Sequence, residues 1–157
     1  MGQVGALELE ETLLYASVDP VNPNDAGLKR WLTDFLDRQP SWRVTTRDRR
    51  AQPRSLYCRH CQQTTERCPS CRERFIGKPE KGVDAAIVTD LLSLAWQNAF
   101  DVAILITSDA DFVPAVERVQ ERGLKVINGG WRGVGHQLKT ACWANFELDS
   151  LIPRLCR

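Results

Sequence analysis

Residues 101–114, which read DVAILITSDADFVP, decide the fold class of this 157-residue chain. The apolar run 102–107 is typical of a parallel strand that is covered on both faces. The acidic turn 108–111 leads into a helix through Pro114, which the first turn of a helix tolerates because its amide donors are unpaired anyway. We therefore predict a strand, a turn and a helix in succession, the repeating unit of an α/β protein.

Strand and helix patterns alternate on both sides of this unit. We predict strands at 12–18, 41–47 and 124–128, a last strand or edge at 146–148, and helices at 80–98, 136–142 and between Asp25 and Pro40. Asn24 or Asp25 can cap that first helix. The alternation predicts a single α/β domain spanning 1–157, a three-layer sandwich with a mainly parallel central sheet.

Composition and apolar run lengths exclude several classes of protein. The chain is 43% hydrophobic and 26% charged, as expected for a globular fold. Its longest clean apolar run, Val102–Ile106, is far shorter than the roughly 20 residues of a membrane-spanning helix. Acidic residues at Glu8, Glu10 and Glu11 stand where a secretory signal needs basic and then apolar residues. We therefore expect a cytoplasmic protein that is neither membrane-bound nor secreted.

Charge is distributed unevenly along the chain. Between Trp42 and Gly82 there are eleven Arg and Lys and four Asp and Glu, a local net charge of +7 in a chain whose total is +1. A basic segment joined to an acidic body raises the local concentration of polyanions, of which nucleic acid is the commonest. A solvated basic linker is the alternative that charge alone leaves open.

The basic segment carries four of the six cysteines in the spacing C-x2-C-x6-C-x2-C, at Cys58, Cys61, Cys68 and Cys71. Two residues between thiolates allow one turn to aim both sulfurs at an ion, and two such turns complete a tetrahedral site. We predict a structural Zn²⁺ in a zinc ribbon inserted at 55–75. The alternatives are disulfides, which need an oxidising compartment, and a redox pair, which needs a strand and a helix around C-x-x-C. His60 is expected on the surface, and Cys142 and Cys156 as ordinary buried thiols.

Three aspartates are candidate ligands where open parallel sheets bind them, beyond the carboxyl ends of the strands. Asp109 and Asp111 follow the strand directly, and Asp84 lies near the start of the preceding helix. Two carboxylates at about 4 Å repel by about 4 kcal/mol in an effective dielectric of about 20, and Mg²⁺ or Mn²⁺ removes that cost. Alternatively, Asp111 caps the following helix, and Asp84 interacts favourably with the positive end of its own helix dipole. Asp90, about 240° around the helix from Asp84, is a secondary candidate.

Two blocks carry a resemblance to a known family. EKGVDAAIVTDLL at 80–92 and DVAILITSDADFVP at 101–114 resemble the LabA-like branch of the NYN domains, which belong to the PIN-like superfamily of metal-dependent ribonucleases. The likeness extends from about Leu13 to Leu151 and includes the cysteine-bearing insert. It implies a PIN-like fold and hydrolysis of RNA phosphodiester bonds.

The resemblance also implies roles for individual residues. Asp84, Asp109 and Asp111 would be the catalytic acids that hold one or two Mg²⁺ or Mn²⁺ ions, which activate a water for attack on a phosphodiester. Ser108 would contact the metal or the phosphate. Arginines of the basic segment would contact backbone phosphates and so orient the RNA; they are Arg49, Arg50, Arg54, Arg59 and Arg67.

The chain departs from the family pattern at both ends. The family's first strand ends in Asp-x-x-Asn and supplies a metal carboxylate, and no such strand precedes Leu13. Asp19-Pro-Val-Asn22 spells the motif, although its Pro-rich loop fits the family's second unit better. Trp143 stands where a further Asp is expected after Leu138.

These departures keep a second function open. The alternative is a catalytically impaired domain that binds nucleic acid or a protein partner as a regulator, and a third reading is a truncated gene product without activity. A missing strand would leave a sheet edge to the residues before Leu13 or to a second copy of the chain, which would favour a homodimer.

Overall fold

A computed structural model describes residues 8–155, and the first of its two units, which ends at Val83, is built on a parallel pair of strands. β1 (Thr12–Val18) pairs in parallel with β2 (Trp42–Asp48) over the full length of both strands. Both match the predicted strands to within one residue, because apolar side chains recur along them and Pro-rich loops bound them. The residues before position 8, where we left secondary structure open, lie outside the described part.

A helical connection joins these two strands, since parallel strands require a crossover. It consists of α1 (Pro23–Asp34) and the short 3-10 helix Leu36–Arg38. Asn22 caps α1, with its side-chain oxygen accepting from the amide of Asn24 at 3.0 Å. The prediction of a cap at Asn24 or Asp25 is therefore wrong by two or three residues. The helix begins earlier than predicted because proline is tolerated at the first helical position, which Pro23 occupies.

Four two-residue strands frame the cysteine-bearing segment: β3 (Gln52–Pro53), β4 (Leu56–Tyr57), β5 (Thr64–Thr65) and β6 (Ile76–Gly77). β3 pairs antiparallel with β6 and closes the base of the segment, and β4 pairs antiparallel with β5 inside it. A further antiparallel bridge joins Arg67 to Arg74. The segment therefore contains two hairpins in direct succession.

The second unit, which begins at Asp84, contains a parallel three-stranded sheet. After α2 (Val83–Trp96) come β7 (Val102–Ile106), α3 (Val113–Glu121), β8 (Lys125–Gly130), α4 (His136–Ala141), β9 (Ala144–Glu147) and α5 (Ile152–Leu155). The strand order is β7-β8-β9, with Leu105 opposite Asn128 and Asn128 opposite Asn145. Parallel strands joined by helices confirm the mixed α/β class; the three-layer arrangement and the single domain stay predictions.

The core of the second unit lies between one face of this sheet and its helices. Its buried side chains come from α2, α3, α4 and two strands, and include Leu91, Ala95, Leu105, Val116, Val119, Val126 and Leu138. Each large aliphatic side chain buried in this way stabilises the fold by about 1.5–3 kcal/mol. This packing holds β7 in place and so positions the turn that follows it.

The other face of β7 is open. Ile104 and Ile106 are 61% and 64% exposed, whereas Leu105 between them is buried. The prediction that this strand is covered on both faces is wrong for these two residues, because no described element of the second unit covers that face of the strand. Among the described residues, no helix is long and apolar enough to cross a bilayer.

Candidate functional site

The acidic turn after β7 is held by its own hydrogen bonds. Asp109 caps the 3-10 helix Ala110–Phe112, and its Oδ1 accepts from the amide of Asp111 at 2.9 Å. The amide of Asp109 donates to Oγ1 of Thr107 at 3.3 Å. Both carboxylates are exposed, and Ser108 between strand and cap is half-buried. The helix-capping role that we considered for Asp111 therefore belongs to Asp109.

Sequence reasoning missed two residues on which the position of this turn depends. Asn128 is fully buried, and its Nδ2 donates to the carbonyl oxygens of Leu105 at 3.0 Å and Thr107 at 2.9 Å. Gly135 has φ +71°, and a Cβ there would come within 3.0 Å of the Cα of Ser108. In the sequence, Asn128 could have been recognised as a polar residue within an apolar strand, and Gly135 as a glycine directly before a helix.

Asp84 and Asp90 lie on α2. Asp84 is exposed in the first turn of the helix, where its negative charge interacts favourably with the positive end of the helix dipole. Asp90 is half-buried and lies further along the helix. No three His, Cys, Asp or Glu side chains within residues 8–155 are grouped closely enough to hold one metal ion. The structure thus brings Asp109 and Asp111 onto one turn without a third acid beside them.

The donor set of this turn fits a hydrated magnesium ion. Mg²⁺ is usually bound in proteins by one or two carboxylates, with water and substrate phosphate oxygens completing its coordination. Two exposed carboxylates on one short turn, Asp109 and Asp111, offer the oxygen chemistry that Mg²⁺ or Mn²⁺ prefers.

A groove borders the acidic turn within the second unit. Ala110 contributes to its wall between the two aspartates, and α3 and α4 supply the rest, including Pro114, Glu117, His136 and Gln137. The groove is shallow and open to solvent, with a volume of about 670 Å³. His136 is the exposed first residue of α4, where the predicted helix at 136–142 also begins.

The Asp19-Pro-Val-Asn22 motif uses its polar groups within the first unit. Asn22 caps α1, and Oδ2 of Asp19 accepts from Nζ of Lys78 at 2.5 Å. This hydrogen bond to Lys78 holds the pKa of the Asp19 carboxyl below its usual value. Both side chains therefore have structural partners, which supports placing the motif outside the metal site.

Trp143 occupies the position where the resemblance led us to expect a further aspartate. Its ring is 59% exposed, and Nζ of Lys125 lies 4.2 Å from the ring centroid. Such an exposed cation–π pair contributes about 0.5–1 kcal/mol. The position thus supplies packing and a cation contact, not a carboxylate.

The first cysteine turn, between β4 and β5, contains Cys58 and Cys61. The amide of Cys58 donates to the carbonyl of Gln63 at 2.9 Å, and Gln62 has φ +56°. Main-chain hydrogen bonding from Cys61 lowers the pKa of the Cys58 thiol most, followed by the Cys61 side chain and the main chain of His60. The predicted surface position of His60 is confirmed.

The second cysteine turn, between Arg67 and Arg74, repeats the first. The amide of Cys68 donates to the carbonyl of Glu73 at 2.8 Å, and Arg72 has φ +62°. Main-chain hydrogen bonding from Cys71 lowers the pKa of the Cys68 thiol most.

The remaining two cysteines lie apart from these turns. Cys142 is buried, as predicted, and burial raises the pKa of its thiol. Cys156 lies outside the described residues.

The candidate phosphate-binding arginines fall into two groups. Arg49 donates from Nε to Oγ of Ser17 at 3.1 Å and from Nη2 to the Ser17 carbonyl at 3.0 Å, and Nη2 lies 3.7 Å from a Glu80 carboxylate oxygen. Arg67 donates to the carbonyl of Arg72 at 3.0 Å. The other three are exposed; they are Arg50, Arg54 and Arg59.

Parallel strands joined by helices, with paired aspartates at the carboxyl end of β7, define an α/β domain of the class that binds ligands beyond the carboxyl ends of its strands. The chain belongs to the NYN domain family, whose model matches residues 16–148. NYN domains are part of the PIN-like nuclease superfamily.

Two individual proteins are similar to this chain. The uncharacterized protein y4oD of Sinorhizobium fredii (strain NBRC 101917 / NGR234) is 43% identical over 47 residues, which cover 30% of this chain and 22% of that protein. The aligned part thus spans about a fifth of the length of this curated relative. The solved structure of a protein of unknown function, VPA0982 from Vibrio parahaemolyticus RIMD 2210633, aligns over 92% of this chain and 97% of its own, with 17% identity and a TM-score of 0.40.

Proposed function

We propose that this NYN domain, of the LabA-like branch, is a ribonuclease that hydrolyses RNA phosphodiester bonds with the help of Mg²⁺ or Mn²⁺. The observation that carries the proposal is the turn after β7, where Asp109 and Asp111 are both exposed while Asn128 and Gly135 hold the main chain beneath them. Membership of a nuclease-like family supports a nucleic-acid substrate.

Each acid has an assigned part in this proposal. Oδ1 of Asp109 accepts from the amide of Asp111, so Oδ2 is the oxygen that we assign to the ion. Asp111 supplies the second carboxylate, and Asp84, from the first turn of α2, is the candidate third ligand. The chemistry that a bound Mg²⁺ or Mn²⁺ supplies is activation of a water and stabilisation of charge on the phosphate. Ser108 would orient the phosphate, and Asp90 remains a secondary candidate.

The groove beside the acidic turn supports binding of a nucleotide next to the cleaved bond. Ala110 lies in its wall between the two acids, so a chain whose phosphate is at Asp109 can continue into the groove. The mixed apolar and polar lining, with Pro114 and Gln137 as examples, suits a base and its hydrogen-bonding edge.

The basic segment would orient the RNA through its phosphates. Arg50, Arg54 and Arg59 are the stronger candidates because these residues are exposed, whereas Arg49 is bound to Ser17. Phosphate contacts of this kind fix position without reading sequence. We also propose a cytoplasmic location and, through the free edge of β7, assembly into a homodimer.

A catalytically impaired regulator that binds nucleic acid or a protein partner is the second candidate function. It is favoured by Trp143, which replaces an expected carboxylate, and by the lack of a group of three ligating side chains within residues 8–155. Two carboxylates bind a divalent ion more weakly than three or four, because each further charged ligand adds attraction.

One comparison separates the two functions. Labelled single-stranded RNA is incubated with Mn²⁺ and either the wild type or Asp109→Asn, which retains the side-chain acceptor for the amide of Asp111. The matched control is Asp101→Asn, an exposed aspartate just before the same strand. We expect cleavage by the wild type and Asp101→Asn but not by Asp109→Asn or with EDTA. RNA binding without cleavage by the wild type would support the regulator.

A further inference from the structure

The two cysteine turns share one main-chain geometry at equivalent positions. In each, the amide of the first cysteine donates to the carbonyl five residues later, and the residue after the second cysteine has φ near +60°. Those residues are Gln62 and Arg72, whose side chains make a left-handed conformation unfavourable by roughly 1–2 kcal/mol. The two cysteine pairs therefore lie in turns of the same main-chain shape.

This shared geometry gathers each cysteine pair into one tight turn. The hydrogen bond from the amide of the first cysteine closes the turn, at Cys58 in one hairpin and at Cys68 in the other. Two cysteines separated by two residues in such a turn can aim both sulfurs at one ion.

Disulfides do not explain this arrangement. All four cysteines carry free thiols. One turn carries Cys58 and Cys61, and the other carries Cys68 and Cys71. Each turn can therefore supply two of the four sulfurs of one tetrahedral site.

We propose that Cys58, Cys61, Cys68 and Cys71 bind one Zn²⁺ in a closed tetrahedral site that joins the two hairpins of the basic segment. Within residues 8–155 no three ligating side chains are grouped around one point. On this proposal, binding of the ion brings the two turns together, and its binding free energy contributes to the folding of this segment. Four sulfur ligands select zinc over the oxygen-seeking Mg²⁺ of the acidic turn.

Metal analysis of the full-length protein tests this site directly. We expect one zinc per chain in protein purified without added chelator, with zinc–sulfur distances of about 2.3 Å by X-ray absorption. Replacement by Co²⁺ should produce thiolate charge-transfer bands and the intense ligand-field bands of a tetrahedral S4 site. A mass that shows two intramolecular disulfides and no metal would overturn the proposal.

Variants assign the ligands. Cys61→Ser and Cys71→Ser, one from each turn, should each lose the bound zinc and the tetrahedral cobalt spectrum. His60→Ala, in the first turn but not a ligand, and Cys156→Ser should retain one zinc per chain. If a serine variant does not fold, titration of the unmodified protein with Co²⁺ still decides the matter, because failure to develop a tetrahedral thiolate spectrum would contradict the S4 site.

Discussion

The side-chain amide of Asn128 donates to the main-chain carbonyl of Thr107 at 2.9 Å, so a residue in the middle strand of the sheet fixes the chain one residue beyond the end of β7. The same Nδ2 donates to the carbonyl of Leu105. The acidic turn therefore begins from a main chain clamped at two points, and its position depends on a residue with no charge.

We predict that Asn128→Leu lowers the free energy of unfolding by about 1–3 kcal/mol, because it leaves carbonyl groups of Leu105 and Thr107 without their donor. It should also weaken Mn²⁺ binding, measured by isothermal titration calorimetry. Val126→Ala, at a fully buried position on the same strand, is the matched control: it should lower stability by a similar amount and leave Mn²⁺ affinity unchanged. Equal loss of affinity in both variants would contradict a positioning role.

Replacing Asp109 separates its structural role from its chemical role. Asp109→Asn retains an oxygen that can accept from the amide of Asp111, so thermal stability should change little while Mn²⁺ binding is lost. Asp109→Ala removes the acceptor as well and should cost about 1 kcal/mol. Differential scanning calorimetry checks the stability difference, and an alanine variant as stable as the asparagine variant would exclude the cap.

The ion pair between Asp19 and Lys78 predicts a pH-dependent stability of the first unit. Lys78 holds the pKa of Asp19 below its usual value, so the pair stabilises the fold above the ordinary aspartate pKa of about 3.9. This contribution is lost as the pH falls through the lowered folded-state pKa. The stability difference between wild type and Lys78→Met should therefore be constant near neutral pH and shrink in strong acid.

Urea unfolding across a pH series measures this difference. Lys81→Met is the control, because Nζ of Lys81 donates to the neutral Gln52 side chain at 3.1 Å. The effect of Lys81→Met on the free energy of unfolding should change little over the same pH range. A Lys78→Met effect that is equally independent of pH would show that the ion pair does not carry the linkage.

RNA affinity should depend on salt through exposed arginines only. Arg50→Gln removes one phosphate contact and should reduce the slope of log K against log salt by about 0.7 for single-stranded RNA. Arg49→Gln should instead lower stability, because it breaks the hydrogen bonds to Ser17. Fluorescence anisotropy at several salt concentrations checks the slopes; an unchanged slope for Arg50→Gln would remove this residue from the interface.

Zinc removal should act locally. After chelation we expect the amide resonances of 56–75 to move or broaden, since the proposed ion joins the two hairpins, while those of Val126 and other core residues of the second unit stay in place. RNA affinity should fall, because two candidate phosphate-binding arginines lie next to proposed zinc ligands. Arg59 lies between Cys58 and Cys61 in the sequence, and Arg67 directly precedes Cys68. Loss of the whole spectrum would instead show that the ion supports the entire fold.

Much of the fold could be predicted because its strands are short apolar runs between strong loop residues. The runs at Thr12–Val18 and Val102–Ile106 were placed within one residue for this reason. Their exposure could not be predicted: an apolar pattern marks Ile104 and Ile106 as strand residues but does not say what, if anything, packs on them.

The candidate site was predicted only in part for a similar reason. Acidic residues after a buried strand pointed to Asp109 and Asp111, since the end of a strand can be read from local sequence. Asn128 and Gly135 act on the turn from 17 or more residues away through hydrogen bonding and close packing. Such contacts depend on strand register and on one loop conformation, neither of which local sequence determines.

Asp109 is both the cap of a helical turn and a proposed ligand, and only the second task needs a negative charge. On our proposal, an uncharged amide at this position would end the chemistry and keep the fold. A single substitution that leaves stability almost unchanged would then turn the proposed enzyme into a domain that binds RNA without cutting it.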